Sequence, residues 1–173
     1  MPPIIISFQF WLLMKKLFLT FGYRTNSGTS QVPIRCASFY REPIMIEKIY
    51  KIFLDNKLIG MTKLGLGDPQ MGVVFGQINF TENNIGYDFI KKYCIDNLIE
   101  IQTDYPTDKL ITTGKIEKLK IYNTENIELV GLGNIIDGMD SDIYTITILG
   151  LESEVYEKNF PQHIAEYELK FNR

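Results

Sequence analysis

The chain is poor in the residues that build reactive centres. Its 173 residues include one histidine, His163, and two cysteines, Cys36 and Cys94. The cysteines lie far apart and match no metal-ligand spacing. One imidazole and two scattered thiols cannot complete a zinc site without several carboxylates. Two unpaired thiols fit a reducing compartment, here the cytoplasm. There is no G-x-x-x-x-G-K-[ST] phosphate loop, no G-x-S-x-G elbow, no repeat and no heptad seam. Two stretches, GLGNII (131–136) and GLGDPQ (65–70), begin like a dinucleotide fingerprint. Neither has the third glycine or a following helix, whose N-terminal amides the pyrophosphate needs. No cofactor is expected. Basic charge is also scarce. The net charge is −3, and the aromatics are not interleaved with a basic patch, so nothing points to nucleic acid or anionic lipid.

What charge there is falls unevenly. Residues 1–45 hold five basic side chains (Lys15, Lys16, Arg24, Arg35, Arg41) and one acid, Glu42. The remainder holds 13 basic and 20 acidic side chains, a net −7. The only tryptophan, Trp11, is in the first segment. IIISFQFWLLMKKLFLTF is apolar at both ends but has Lys15 and Lys16 in its middle. Each would cost about 2.5–3.5 kcal/mol at a bilayer centre, and the arm before them is shorter than the roughly 20 residues that span. A signal peptide places its charges ahead of the apolar run, and here they follow it. Residues 1–44 are therefore read as an extension outside the working domain, which occupies 45–173. Met1, Met14 and Met45 all stand open as starts, with an export or membrane-tethering role for 1–44 as the alternative.

The acidic part reads as α+β, a mainly antiparallel sheet with one firm helix and a second, short one at the C-terminus. IEKIYKIFLDNKLIGMTKL is a hairpin turning at Asp55-Asn56-Lys57, because Asp and Asn tolerate left-handed backbone. In GDPQMGVVFGQINF, proline fixes its own φ and pushes Asp68 toward extended geometry, so the stretch is a turn entering a strand. Its glycines mark a bulge or close packing, with a ligand-contacting loop as the alternative reading. TENNIGYDFIKKYCIDN places Ile85, Phe89 and Tyr93 on one face, with Ile90 and Cys94 beside them, and predicts a helix over about 84–96 with Thr81, Asn83 or Asn84 as caps. DYPTDKL reads as a loop. Strands are expected in IEKLKIY, IELVGLGNII and DIYTITILGLE, the last two joined as a hairpin by DGMDSD. The tail is ambiguous: Pro161 suits the first turn of a helix over about 161–168, yet AEYELKF alternates like a strand.

Few side chains offer chemistry. Asp137, Asp140 and Asp142 cluster around one turn without the spacing of a calcium loop, so a solvated hairpin loop is expected and no metal is assigned. Cys94 falls on the apolar helix face, and His163 is expected near the surface; a Cys–His dyad finds little support. No catalytic residue is named. The binding candidates are Asp68, Gln70 and Met71 in the first turn and Asp137, Asp140 and Asp142 in the second.

Residues 49–170 resemble a family of small, uncharacterised bacterial proteins. The resemblance is carried by YKIFLDNKLIG (50–60), DPQMGVVFGQI (68–78), YDFIKKYC (87–94), DYPTDKLI (104–111), GLGNIIDGMD (131–140) and NFPQHIAEY (159–167), and covers about 70% of the chain. It implies no activity, and no functional residue carries over from it. Its members begin near the first strand, which implies that the segment before Met45 is extraneous. By analogy, small acidic proteins of this kind are often immunity proteins that block a toxin, or accessory partners. The expectation is a non-enzymatic, protein-binding domain in the cytoplasm, with a basic toxin or effector as partner through complementary charge. A carboxylate- or metal-dependent enzyme and a membrane-tethered accessory module are the alternatives.

Overall fold

The computed structural model describes residues 48–171. The expectations for residues 1–44, for Cys36 and for the three start positions lie outside the described residues. The elements run β1 (Tyr50–Leu54), β2 (Lys57–Thr62), β3 (Leu66–Asp68), a 3-10 turn (Pro69–Met71), β4 (Val73–Gln77), β5 (Asn79–Phe80) and α1 (Tyr87–Asp96). Then follow β6 (Ile101–Tyr105), β7 (Leu110–Thr113), β8 (Leu119–Tyr122), β9 (Gly133–Met139), β10 (Tyr144–Leu149), α2 (Ser153–Asn159) and α3 (Pro161–Phe171).

The fold is α+β with two antiparallel sheets. One has four strands in the order β5-β2-β1-β8, the other six in the order β3-β4-β10-β9-β7-β6. The chain passes from the large sheet to the small one at Ile78, between β4 and β5, where the Ile78 amide donates to the Tyr144 carbonyl at 2.7 Å. Strands that switch sheets in this way make the corners of such packings. Buried side chains from both sheets form one hydrophobic cluster: Tyr50, Ile52, Ile59, Leu119 and Ile121 from the small sheet, Val74, Ile111, Ile136, Ile146 and Ile148 from the large. Burying each such aliphatic side chain stabilises the fold by about 1.5–3 kcal/mol.

The first hairpin turns as expected. Asp55 and Asn56 both have positive φ (48° and 67°), and Leu54 pairs directly with Lys57. Two left-handed residues give the twist that suits a tight hairpin. A bulge between Ile52 and Phe53 then leaves Ile59 without a partner and buries it. The Gly67–Gly72 stretch is also a turn into a strand. Asp68 is extended (φ −123°), and its Oδ1 accepts the amides of Gln70 and Met71 at 3.0 and 3.3 Å. Gly72 has φ +62° and lies against the Leu151 backbone, whose amide donates to the Gly72 carbonyl at 2.8 Å.

Other expectations need correction. The helix starts at Tyr87 rather than near 84, and its N-cap is Gly86; none of Thr81, Asn83 and Asn84 serves as the cap. DYPTDKL turns at Pro106–Lys109 as expected, but its ends are strand: Tyr105 and Leu110 pair as the last rung of the β6–β7 hairpin. The C-terminal helix expected over about 161–168 is present as α3, but a second helix, α2, precedes it, the two broken at Phe160. Leu66–Asp68 forms a short edge strand ahead of the turn, where no strand was expected.

Candidate functional site

A concavity of about 730 Å³ opens at the N-terminus of α1, between that helix, β5 and the β9–β10 turn. Asp140 is its hub. The first turn of α1 has free amides that need an acceptor, and Gly86 has no side chain to supply one. Asp140 Oδ1 reaches across from the β9–β10 turn and accepts the Tyr87 N–H at 2.9 Å and the Tyr144 hydroxyl at 2.7 Å. Asp140 Oδ2 lies 3.4 Å from Lys109 Nζ, which also donates to Asp88 Oδ2 at 3.1 Å. Burial alone would raise the Asp140 carboxyl. The Tyr87 amide, the Tyr144 hydroxyl and Lys109 together outweigh that and hold it below the usual carboxylate range. Burial, followed by the hydrogen bond to Asp140, pushes the Tyr144 hydroxyl far up, so it stays protonated as a donor.

The walls are aromatic as well as acidic. The half-buried Phe80 packs edge-on against Tyr144 with ring centroids 5.3 Å apart, and Phe89 lines the helix side. Acids on the lining are Glu82, Asp88, Asp140 and Asp142. Glu82 is paired with Lys57 at 2.8 Å. Asp88 and Asp140 share Lys109, the one cation on the lining. Asp142 is exposed. The cleft therefore carries more negative charge than its own cations balance.

The structure splits the sequence-chosen residues into two groups. β4 and β10 pair with Gln77 opposite Thr145 and Val74 opposite Ile148. Asp68, Gln70 and Met71 thus sit at one end of β10, and Asp140 and Asp142 at the other, roughly 20 Å away for six strand residues. Asp68 is occupied in capping the 3-10 turn, while Gln70 and Met71 are exposed. Asp137 lies within β9, opposite Thr145 and Thr112, and not in the turn. Among the described residues no group of three His, Cys, Asp or Glu side chains is placed to hold a metal ion.

Cys94 is fully buried, and burial pushes its thiol up to about 11, so the thiolate a nucleophile needs is disfavoured. His163 is not at the surface: it is 4% exposed. Sequence reasoning missed Tyr87, Lys109 and Tyr144. The one available signal was Gly86, a cap residue without a cap side chain, which calls for a donor-satisfying group from elsewhere. Beside the cleft, Tyr87 Oη donates to Asp104 at 2.5 Å and accepts from Lys91 at 2.8 Å, and Lys91 pairs with Asp104 at 2.7 Å. Burial and the Asp104 bond raise the Tyr87 hydroxyl, so it is a fixed donor there and no base.

No protein-family model matches this chain, no curated protein is similar to it, and no solved structure matches it. No helix among the described residues is long and apolar enough to cross a membrane.

Proposed function

We propose that this domain binds a basic protein partner through the acidic cleft at the start of α1, and that an immunity protein neutralising a basic toxin domain is its concrete form. One observation carries the reading. Asp88, Asp140 and Asp142 share a rim on which Lys109 is the one cation, above the half-buried rings of Phe80 and Phe89. A lysine or arginine side chain entering there meets carboxylates and aromatic faces together, the combination that favours cation–π contact. The net −7 outside the first 45 residues adds long-range steering, which acts on association rate more than on the strength of any single pair. Such a role fits the cytoplasm.

The test is affinity capture from the native organism with the full chain and with Asp142→Lys as the matched control. A basic protein retained by the wild type and depleted on the variant supports the reading. Equal retention on both, or no specific protein on the wild type, sinks it.

A further inference from the structure

The C-terminal helical pair is held to the sheet in an unusual way. Along its eleven residues α3 buries one side chain, His163. That ring stacks on Phe160 with centroids 5.3 Å apart and planes 9° off parallel. Its Nδ1 lies 3.2 Å from Tyr156 Oη. Below it, the backbone of Gly67 in β3 comes so near that a Cβ there would lie 2.8 Å from Nδ1 and closer still to Tyr156 Oη. The ring's Nε2 is buried without a hydrogen-bond partner. A helix normally docks through an apolar stripe; here the one fully buried side chain is an ionisable ring, with the partly buried Ile164 beside it.

Burial of the ring in this stack favours a neutral imidazole. From α2 comes the uncharged Tyr156 hydroxyl, 3.2 Å from Nδ1 and 3.4 Å from the Val73 carbonyl to which it donates. From β3 and its approach come Asp68 and the Gly65 backbone. The Asp68 carboxylate is engaged by the amides of Gln70 and Met71. From α3 itself comes Glu166, which is exposed. None of these carboxylates bonds or ion-pairs with the ring among the described residues. A second proton on the ring would leave a cation in a buried aromatic stack.

We propose that His163 is an acid-sensitive latch: its protonation releases α3 from β3 and the 3-10 turn while the two sheets stay paired. Burial lowers the imidazole below its ordinary value, against smaller opposing effects of Glu166 and the Gly65 backbone. A depressed histidine contributes stability above its unfolded value of about 6.5 that is lost as pH falls from there toward the folded value. Within that window the protection of α3 falls about tenfold per pH unit.

The chain's single histidine makes the test clean, because its one imidazole Hε1 resonance needs no assignment. That resonance is titrated by NMR. In parallel, hydrogen exchange of α3 is followed from about pH 7 to about pH 5, corrected for intrinsic chemistry. The latch predicts a midpoint below 6.5 and loss of protection confined to α3, abolished in His163→Phe, whose ring keeps the stack. A midpoint at or above 6.5 overturns it. So does loss spread evenly over the strands, or the same loss in the variant. Should His163→Phe not fold, the wild-type titration and exchange pattern decide alone.

Discussion

The Asp140 carboxylate accepts the backbone N–H of Tyr87 at 2.9 Å, although the two residues are 53 positions apart. A helix is thereby capped by the tip of a distant hairpin. Gly86, the residue at the cap position, makes this possible: a Cβ there would lie 2.7 Å from the same carboxylate oxygen. The cap that organises the cleft is a tertiary contact, and removing either side of it should be felt by both elements.

Asp140→Ala should lower stability by about 1–2 kcal/mol, the ordinary cost of losing a cap, with the Tyr144 hydroxyl also left unpaired. Asp140→Asn should cost less, since an amide oxygen still accepts. Urea denaturation of the three proteins checks the order.

The same carboxylate sets an acid limb. Asp140 is held below its ordinary value by Tyr87, Tyr144 and Lys109 against burial, and Asp104 by Lys91 and Tyr87. A depressed carboxyl contributes stability above the unfolded value of about 3.9 that is lost as pH falls through the folded value. Urea midpoints should therefore drop steeply below about pH 4, and Asp140→Asn should flatten part of that drop.

Leu98 follows α1 in left-handed backbone (φ 56°), with the Ile99 amide returning to the Cys94 carbonyl at 2.8 Å, and its side chain is 95% exposed. Glycine normally occupies this position. Leu98→Gly removes strain worth about 1–2 kcal/mol and gives up almost no burial. It should raise the urea midpoint, and an unchanged or lower midpoint would contradict the strain argument.

Gly67→Ala should act the other way. Its methyl would meet Tyr156 Oη, His163 Nδ1 and the Val73 carbonyl, the last two at 2.8 Å. Overpacking of this kind costs about 1–3 kcal/mol. Hydrogen exchange should show the loss concentrated in α2 and α3.

Local chemistry decided what could be read from the residues alone. Asp55-Asn56 announces a left-handed turn, Asp68-Pro69 an extended entry to a turn, and the alternation of Tyr144–Leu149 a strand. Each depends on backbone preferences within a few residues. β6 and β7 were hidden because their hairpin is short and Gln102, Asp104 and Tyr105 stay largely exposed, so hydrophobic alternation is weak. The Asp140 cap was hidden because nothing near Tyr87 encodes it. His163 was misplaced because its burial depends on the space left by Gly67, nearly a hundred residues earlier. The candidate turn at Asp137–Asp142 was found, but what each acid does there was not: one lies in a strand, one caps a helix, and one faces solvent.

The central claim is an acidic cleft that recognises positive charge. Its most direct measurement is the affinity of the captured partner for wild type and for Asp142→Lys, by calorimetry at low and high salt. Wild-type affinity should fall as salt rises, and the variant should bind more weakly with a shallower salt dependence. Equal affinity of the two proteins, unmoved by salt, would contradict it.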